Sequence, residues 1–186
     1  MPLTNAPSLR ADAQKNRDRI LAAAETVFLE KGASASLDDV ARTAEVGIGT
    51  LYRRFPTRED LLAATYSARF LALAKASREE AGDLSPLSAM RAYLEELIRQ
   101  TNFYRGLATS LETVLQIGTP GCLATTEEGM RLLDRAQQAG AVSSKVGFDD
   151  LICVATAISL ATEREGPACT RIAHLVDIFI NGIGQR

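Results

Sequence analysis

Residues 46–55 combine side chains that suit contact with a phosphate-lined groove. Gly47 and Gly49 open the stretch, so the backbone can turn tightly and approach another molecule closely. Leu51 and Phe55 are four residues apart and share one helical face, which can pack on a core. The other faces carry a hydroxyl, a phenol and two guanidinium groups: Thr50, Tyr52, Arg53 and Arg54. Such groups bind phosphate oxygens and guanine edges.

The preceding residues predict a short helix and a turn. Ser36 is a favourable N-cap, and Asp39 stands three positions later, as in a capping box. Apolar residues recur at helical spacing up to Ala44. Pro56 ends the second helix, because the residue before a proline is pushed out of the α region. A helix, a turn and a polar-faced second helix outline a helix-turn-helix, whose second helix enters the DNA major groove.

Residues 16–62 resemble the N-terminal domain of the tetracycline-repressor (TetR) family. Spacing and residue types agree in several runs: Asn16 to Ala24, Phe28, Lys31-Gly32, Ser36 to Ala41 and Val46 to Leu62. The resemblance implies an all-α, homodimeric, DNA-binding transcriptional regulator whose C-terminal domain binds a small-molecule effector. Glu45 departs from the pattern, since glycine is common there, and predicts a strained or differently shaped turn. Ile48 also departs, because the family often has a polar or basic residue at that position.

Candidate DNA contacts follow from this motif and the segments beside it. We expect base or phosphate contacts from one set of residues: Arg10, Thr43, Gly47, Gly49, Thr50, Tyr52, Arg53, Arg54, Thr57 and Arg58. Arg10 belongs to a tail in which a solvated charge is an equal alternative. The expected partner is a near-palindromic, double-stranded operator, read by a repressor that a small molecule releases.

Composition agrees with a globular protein and opposes a membrane protein. The 186 residues are 46% apolar and 24% charged, near the globular average. No uncharged apolar run approaches about twenty residues, and the N-terminus lacks a signal-peptide pattern, so we expect a cytoplasmic protein without a membrane partner. The net charge of −2 is not typical of DNA binding, but arginines and lysines concentrate near the motif. Local positive charge is what DNA binding requires.

The sequence gives little support for a catalytic site or a metal site. Cys122, Cys153 and Cys169 are widely separated, so the sequence indicates neither a zinc site nor a disulfide, and no cofactor is expected. A second hypothesis, an enzyme using Cys169 with His174, fails on spacing, because residues five apart lie on different helical faces. A third hypothesis is a helical protein-interaction module without DNA binding. It leaves the 46–55 stretch unexplained.

The fold predicted is all-α, with a three-helix helix-turn-helix domain joined by a long fourth helix to a C-terminal helical domain. We expect a flexible arm at 1–12, the DNA-binding domain with the linking helix at 13–82, and the effector-binding and dimerisation domain at 83–186. Gly32 ends the first helix, Thr57 caps the fourth, and Ser85-Pro86 starts the fifth. The fourth helix joins both domains and is the expected lever between effector and DNA.

The last two helices are unusually apolar and predict a dimer. A helix that is apolar on nearly all sides must be buried on several sides, and pairing with a second copy would bury the excess as a four-helix interface. A tightly packed monomer core is the alternative. The expected interface residues are Leu151, Val154, Ile158, Ile172, Leu175, Val176, Phe179, Ile180 and Ile183.

Helices five to seven mix apolar, aromatic and polar residues, which permits a ligand pocket. The composition also permits an ordinary core with a solvated face, and for any individual residue this reading is favoured over the pocket. The candidate ligand-binding residues are Tyr93, Phe103, Leu107, Leu111 and Met130. The resemblance implies a small-molecule effector without naming its chemistry.

Overall fold

The computed structural model describes residues 6–165 and 170–183, with side chains from residue 11 onward. Within these ranges the chain forms helices and no strand, which confirms the all-α prediction. The helices are α1 (Ala6–Lys31), α2 (Leu37–Thr43), α3 (Ile48–Arg54), α4 (Arg58–Glu80), α5 (Pro86–Thr101), α6 (Leu111–Gln116), α7 (Pro120–Gln138), α8 (Phe148–Thr162) and α9 (Arg171–Ile183). Short 3-10 turns occupy Leu107–Ser110 and Glu163–Glu165. Among the described helices, none has the length and hydropathy that a membrane crossing needs.

The start of α1 differs from the prediction. Residues 6–12 were expected in a flexible arm, but they extend α1 toward the N-terminus. Pro7 does not prevent this, because a proline in the first turn of a helix lacks only an N–H that would have had no helical partner. Residues 1–5 lie outside the described part of the chain.

The N-terminal helices pack around an apolar cluster on one side of α1. Ile20, Ala24, Val27 and Phe28 are buried, with at most 3% of their surface exposed. Their spacing puts them on one face of α1, and that face packs against α2 and α4. This packing fixes α2 and α3 as one unit at the end of the molecule.

Helix α4 continues from that unit into the C-terminal helices and lies closest to α7. The N–H of Gly121 donates to Oγ of Ser67 at 3.1 Å, and Oγ1 of Thr125 donates to the carbonyl of Phe70 at 3.0 Å. A Cβ on Gly121 would lie 2.1 Å from the carbonyl oxygen of Ser67, so a side chain would force the helices apart. Backbone contact at this distance requires glycine.

A buried carboxylate forms a further connection between α4 and α7. Glu128 of α7 is 0% exposed and accepts hydrogen bonds from Ser77 Oγ (2.9 Å), Arg78 Nε (3.0 Å) and Arg131 Nε and Nη2 (2.8 and 2.7 Å). Burial opposes ionisation of Glu128, but the hydrogen bonds from Arg131, Ser77 and Arg78 outweigh it and hold the pKa of this carboxyl below its ordinary value. The C-terminal half of α4 is thereby fixed to α7.

Candidate nucleic-acid interface

The turn between α2 and α3 closes α2 through a pair of hydrogen bonds of the Schellman type. The N–H of Val46 donates to the carbonyl of Ala41 (3.0 Å), and the N–H of Glu45 donates to that of Arg42 (3.1 Å). Glu45 takes the left-handed position of this motif, with a φ of 53°. Glycine usually fills it, because a Cβ costs about 1–2 kcal/mol there. The strained turn expected from Glu45 is confirmed.

Arg19 of α1 contacts this turn from outside. Its Nη2 donates to the Glu45 carboxylate at 2.9 Å and lies 3.4 Å from the Glu45 carbonyl oxygen. The Glu45 side chain is 85% exposed, so the ion pair contributes at most about 1 kcal/mol. The pairing also means that Arg19 adds little net positive charge at this end of the molecule.

Helix α3 is held by its two apolar anchors. Leu51 is 0% exposed and Phe55 is 5% exposed, which confirms that these residues share a buried face. Because α3 has seven residues, burying this face determines its rotation. The opposite face is therefore directed to solvent.

The exposed face of α3 carries the polar side chains that the motif predicts. Tyr52 is 48% exposed, and Arg53, Arg54 and both glycines are exposed as well. Thr50 is half-buried, and its Oγ1 accepts a hydrogen bond from Nη2 of Arg53 at 3.1 Å. Ile48 is 37% exposed at the start of the helix and offers an apolar surface there. The structure thus brings most of the predicted DNA contacts together on one surface.

Two predicted contacts, Thr57 and Arg58, have intramolecular partners. Oγ1 of Thr57 accepts from the N–H of Asp60 (3.0 Å), and the N–H of Thr57 donates to the Asp60 carboxylate (2.9 Å), which completes the capping box of α4. Nη1 of Arg58 is directed inward and donates to the carbonyls of Ala33 (3.0 Å) and Ala35. These contacts hold the start of α4 in place, and contact of the two residues with phosphate stays a prediction.

Thr43 and Arg10 complete the predicted contact set. Thr43 is exposed at the end of α2, next to the turn. The Arg10 side chain lies outside the described residues.

The charges on α2 are partly paired. Asp39 accepts from Lys31 (2.6 Å) and from Arg42, and the hydrogen bond from Lys31 holds the pKa of the Asp39 carboxyl below its ordinary range. This use of Asp39 differs from the expected capping box, in which it would accept from the N–H of Ser36. Oγ of Ser36 instead caps the helix alone, by accepting from Asp38 (3.2 Å). The Arg42 side chain is 75% exposed and extends the basic surface beside α3.

The apolar residues of α8 and α9 are divided between the protomer's core and its surface differently from the prediction. Five expected interface residues are at most 8% exposed within one protomer: Leu151, Ile158, Ile172, Val176 and Ile180. They belong to the protomer's own core and have almost no surface left for a second chain, so the prediction is wrong for them. The other four are partly buried and pack against that core: Val154, Leu175, Phe179 and Ile183.

An apolar surface missed from the sequence lies beside them. On α8, Cys153, Ala157 and Leu160 are exposed, and on α9 Ile178 is 57% exposed. Helix α8 is apolar on almost every face, so the sequence pattern did not distinguish its inward from its outward side.

A cavity of about 450 Å³ lies between α4 and α5. Tyr93 is the one predicted ligand residue that borders it. Leu107 and Leu111 are fully buried, while Phe103 lies under the guanidinium of Arg69, and Met130 is 47% exposed on α7. Sequence reasoning missed the other polar residues around the cavity: Arg69, Ser77, Glu80, Glu95, Glu96, Arg99 and Gln100. The available signal was the run of alanines on both helices, Ala72, Ala76, Ala89 and Ala92, which leaves room between them.

No nucleophile or metal site is assembled in the described residues. Burial raises the pKa of the Cys122 thiol, the opposite of what an activated cysteine needs. Cys169, which the enzyme hypothesis paired with His174, lies outside the described residues. Within the described ranges, no three potential metal ligands come together.

The second helix of the helix-turn-helix buries its apolar face and exposes a basic face, and a helical domain follows. This arrangement defines a DNA-binding protein of the helix-turn-helix class. Residues 20–65 match the family model of bacterial regulatory proteins of the TetR family, and residues 85–185 match that of the C-terminal domain of SbtR-like transcriptional regulators. The chain belongs to the TetR family and is a DNA-binding transcriptional regulator. Regulators of this family bind operator DNA and act as dimers with small-molecule ligands.

Individual relatives agree with this assignment. A crystal structure of the TetR regulator SCO0520 from Streptomyces coelicolor is 33% identical, with 90% of this chain and 98% of that chain covered and a TM-score of 0.55. The transcriptional repressor KstR of Rhodococcus jostii is 26% identical over 153 residues, which are 81% of this chain and 71% of KstR. RolR, solved in complex with resorcinol, shares the fold at 19% identity, with a TM-score of 0.65 over 95% of this chain and 91% of that one.

Proposed function

We propose that the protein is a homodimeric repressor that binds a near-palindromic operator and leaves it when a small-molecule effector binds. The observation that carries the proposal is the rotation of α3. Leu51 and Phe55 are buried, and this directs Tyr52, Arg53 and Arg54 to solvent as one surface. That surface suits the major groove, where two recognition helices meet half-sites about 34 Å apart. The repressor KstR among the relatives supports the sign of regulation.

Each side chain on this surface has a role that follows from its chemistry. Arg54 has no intramolecular partner among the described residues and is available for a bidentate contact with guanine, which discriminates by about 1–3 kcal/mol. The hydrogen bond to Thr50 orients Arg53, so the two residues can contact a base edge or a phosphate together. Tyr52 and Thr43 carry hydroxyl groups that suit contact with the phosphate backbone of the DNA. Gly47 and Gly49 carry no side chain and allow the helix start to lie close to the DNA.

The dimer would form through the outward faces of α8 and α9. Leu160 and Ile178 are 50% and 57% exposed, and Ala157 of α8 is exposed as well. Covering them with the same faces of a second copy gives a four-helix interface with two-fold symmetry. This symmetry matches the palindromic operator.

The effector would occupy the cavity between α4 and α5. Its volume of about 450 Å³ suits a small organic molecule, and its walls combine alanines and leucines with many polar and charged side chains. An effector at this position touches α4 directly, so it can change how α4 carries the helix-turn-helix. RolR, which shares the fold, was solved in complex with the small molecule resorcinol.

This function needs no catalytic step and places the protein with the chromosome, in the cytoplasm. Its test is selection of binding sites from a randomised DNA library, followed by affinity measurements at several salt concentrations. We expect an enriched near-palindrome whose affinity falls steeply as salt rises. Arg54→Ala is expected to weaken binding to the selected operator by about 1–3 kcal/mol and to relax the sequence preference at one position of each half-site.

The matched control is Lys145→Ala, which removes an exposed positive charge on the loop before α8. It is expected to leave affinity and salt slope unchanged. Weak binding without an enriched sequence, or equal effects of the two substitutions, would refute the proposed interface.

A further inference from the structure

The segment 102–106, between α5 and the first 3-10 turn, lies where the N-terminal and C-terminal helices meet. The ring of Tyr104 contacts Phe28 of α1 and Tyr66 of α4, with centroid distances of 6.2 and 4.7 Å. The N–H of Tyr104 donates to the hydroxyl of Tyr66 at 3.2 Å. On the other side, Nδ2 of Asn102 donates to Oγ1 of Thr162, at the end of α8, at 2.9 Å. The segment therefore touches α1, α4 and α8 at once.

One peptide group in this segment is bound on both sides. The carbonyl of Arg105 accepts from the N–H of Ala33, in the loop between α1 and α2, at 2.8 Å. The N–H of Gly106, which belongs to the same peptide group, donates to Oε1 of Glu163 just after α8. In a trans peptide the C=O and N–H point in opposite directions, so Ala33 and Glu163 lie on opposite sides of one rigid plane.

The fit on the N-terminal side is close. Gly32 has a φ of 85°, and a Cβ there would lie 2.7 Å from the Arg105 carbonyl oxygen. The loop therefore contacts the peptide through bare backbone. A small rotation of this peptide must move the loop or break the hydrogen bond to Ala33.

We infer that Glu163 is a positioning residue for operator binding. Through the 105–106 peptide, its carboxylate fixes the orientation of the helix-turn-helix relative to the end of α8. The hydrogen bond from Gly106 to this carboxylate polarises the peptide and strengthens the bond on the far side. Because α8 belongs to the proposed dimer surface, this orientation sets the distance between the two α3 helices of a dimer. The inference rests on the proposed dimeric operator binding.

The test compares Glu163→Ala with wild type on two DNA probes, the selected full operator and the same duplex with one half-site scrambled. A wrongly oriented helix-turn-helix lowers affinity only when both α3 helices of the dimer must fit their half-sites together. We therefore expect the affinity for the full operator to fall about tenfold and the affinity for the single half-site to stay constant. Glu163→Gln keeps an oxygen that can accept from Gly106, and it is expected to restore most of the full-operator affinity. A purely structural role would lower affinity for both probes together.

Asp150→Ala is the matched control. Oδ2 of Asp150 accepts from the N–H of Gly147 at 2.8 Å, so the control removes a carboxylate-to-glycine bond at the opposite end of α8. We expect it to change neither probe. Sedimentation of Glu163→Ala should show an unchanged dimer.

Three results would overturn the inference: equal losses on both probes, a Glu163→Gln variant as weak as Glu163→Ala, or a loss explained by dissociation of the dimer. Failure of the proposed function itself is distinguishable. In that case wild type would bind no full operator better than a half-site.

Discussion

Glu128 is fully buried, and replacing it with glutamine tests how firmly α4 is fixed to α7. Glu128→Gln keeps the shape of the side chain but removes the charge that accepts four hydrogen bonds. Breaking a buried ion pair costs about 3–5 kcal/mol when the remaining charge stays buried. Here Arg78 and Arg131 are 52% and 44% exposed and can bind water instead. We therefore expect a smaller loss in the free energy of unfolding at neutral pH, about 2–3 kcal/mol.

The loss should depend on pH in a defined direction. The pKa of Glu128 is lowered in the folded state, so the unfolded chain takes up the proton first as pH falls. The stabilisation by the carboxylate is complete above the ordinary glutamate pKa and disappears as pH falls through the lowered one. The difference between wild type and Glu128→Gln should therefore shrink as the solution is acidified below about pH 4.

Urea unfolding at one fixed protein concentration, followed by circular dichroism, measures both quantities. Glu127→Gln is the matched control, because Glu127 is the adjacent glutamate, is 69% exposed and lies 3.8 Å from Arg78. It should change the free energy of unfolding by no more than about 0.5 kcal/mol. The reasoning is refuted if both variants lose the same stability, or if the loss in Glu128→Gln grows in acid.

Three further substitutions test the turn, the α4–α7 contact and the dimer surface. Glu45→Gly relieves the left-handed backbone strain but increases the conformational entropy of the unfolded chain, so the midpoint of thermal unfolding should move little. Glu45→Val should lower the free energy of unfolding by about 1–2 kcal/mol. Gly121→Ala places a Cβ 2.1 Å from a carbonyl oxygen of α4 and should cost about 3 kcal/mol or more in urea unfolding, while Gly82→Ala, with open space around it, should cost almost nothing. Ile178→Glu puts a charge on the proposed interface and should give monomers in sedimentation, whereas Leu29→Glu, at an equally exposed position of α1, should leave the dimer intact.

Local patterns in the sequence were sufficient to predict α3 and its surroundings. The spacing of Leu51 and Phe55 predicted the buried face of α3, and Pro56 marked its end correctly. Thr57 and Ser85 cap the helices they were expected to cap. These features depend on residues within one or two helical turns of each other, so periodicity and capping chemistry capture them.

Contacts between distant segments could not be predicted in this way. Arg58 was assigned to DNA because it is basic and follows the motif, yet its guanidinium binds carbonyls of a loop more than twenty residues earlier. Glu128 gave no signal as a buried charge, because its partners on α4 are fifty residues away. The inward side of α8 was equally hidden, since apolar residues surround that helix. In each case the deciding partner belongs to another element.

The helix-turn-helix is fixed to the rest of the molecule at more than one place, and this bears on how an effector could act. Helix α4 is the covalent connection, and α1 packs against it. The bond between Ala33 and the 105–106 peptide is a second connection, which joins the loop after α1 to the segment after α5. An effector between α4 and α5 borders Gln100, whose carbonyl lies 3.4 Å from the Tyr66 hydroxyl that also binds Tyr104. A ligand that shifts this end of α5 therefore acts on both connections at once, and DNA release need not depend on bending α4.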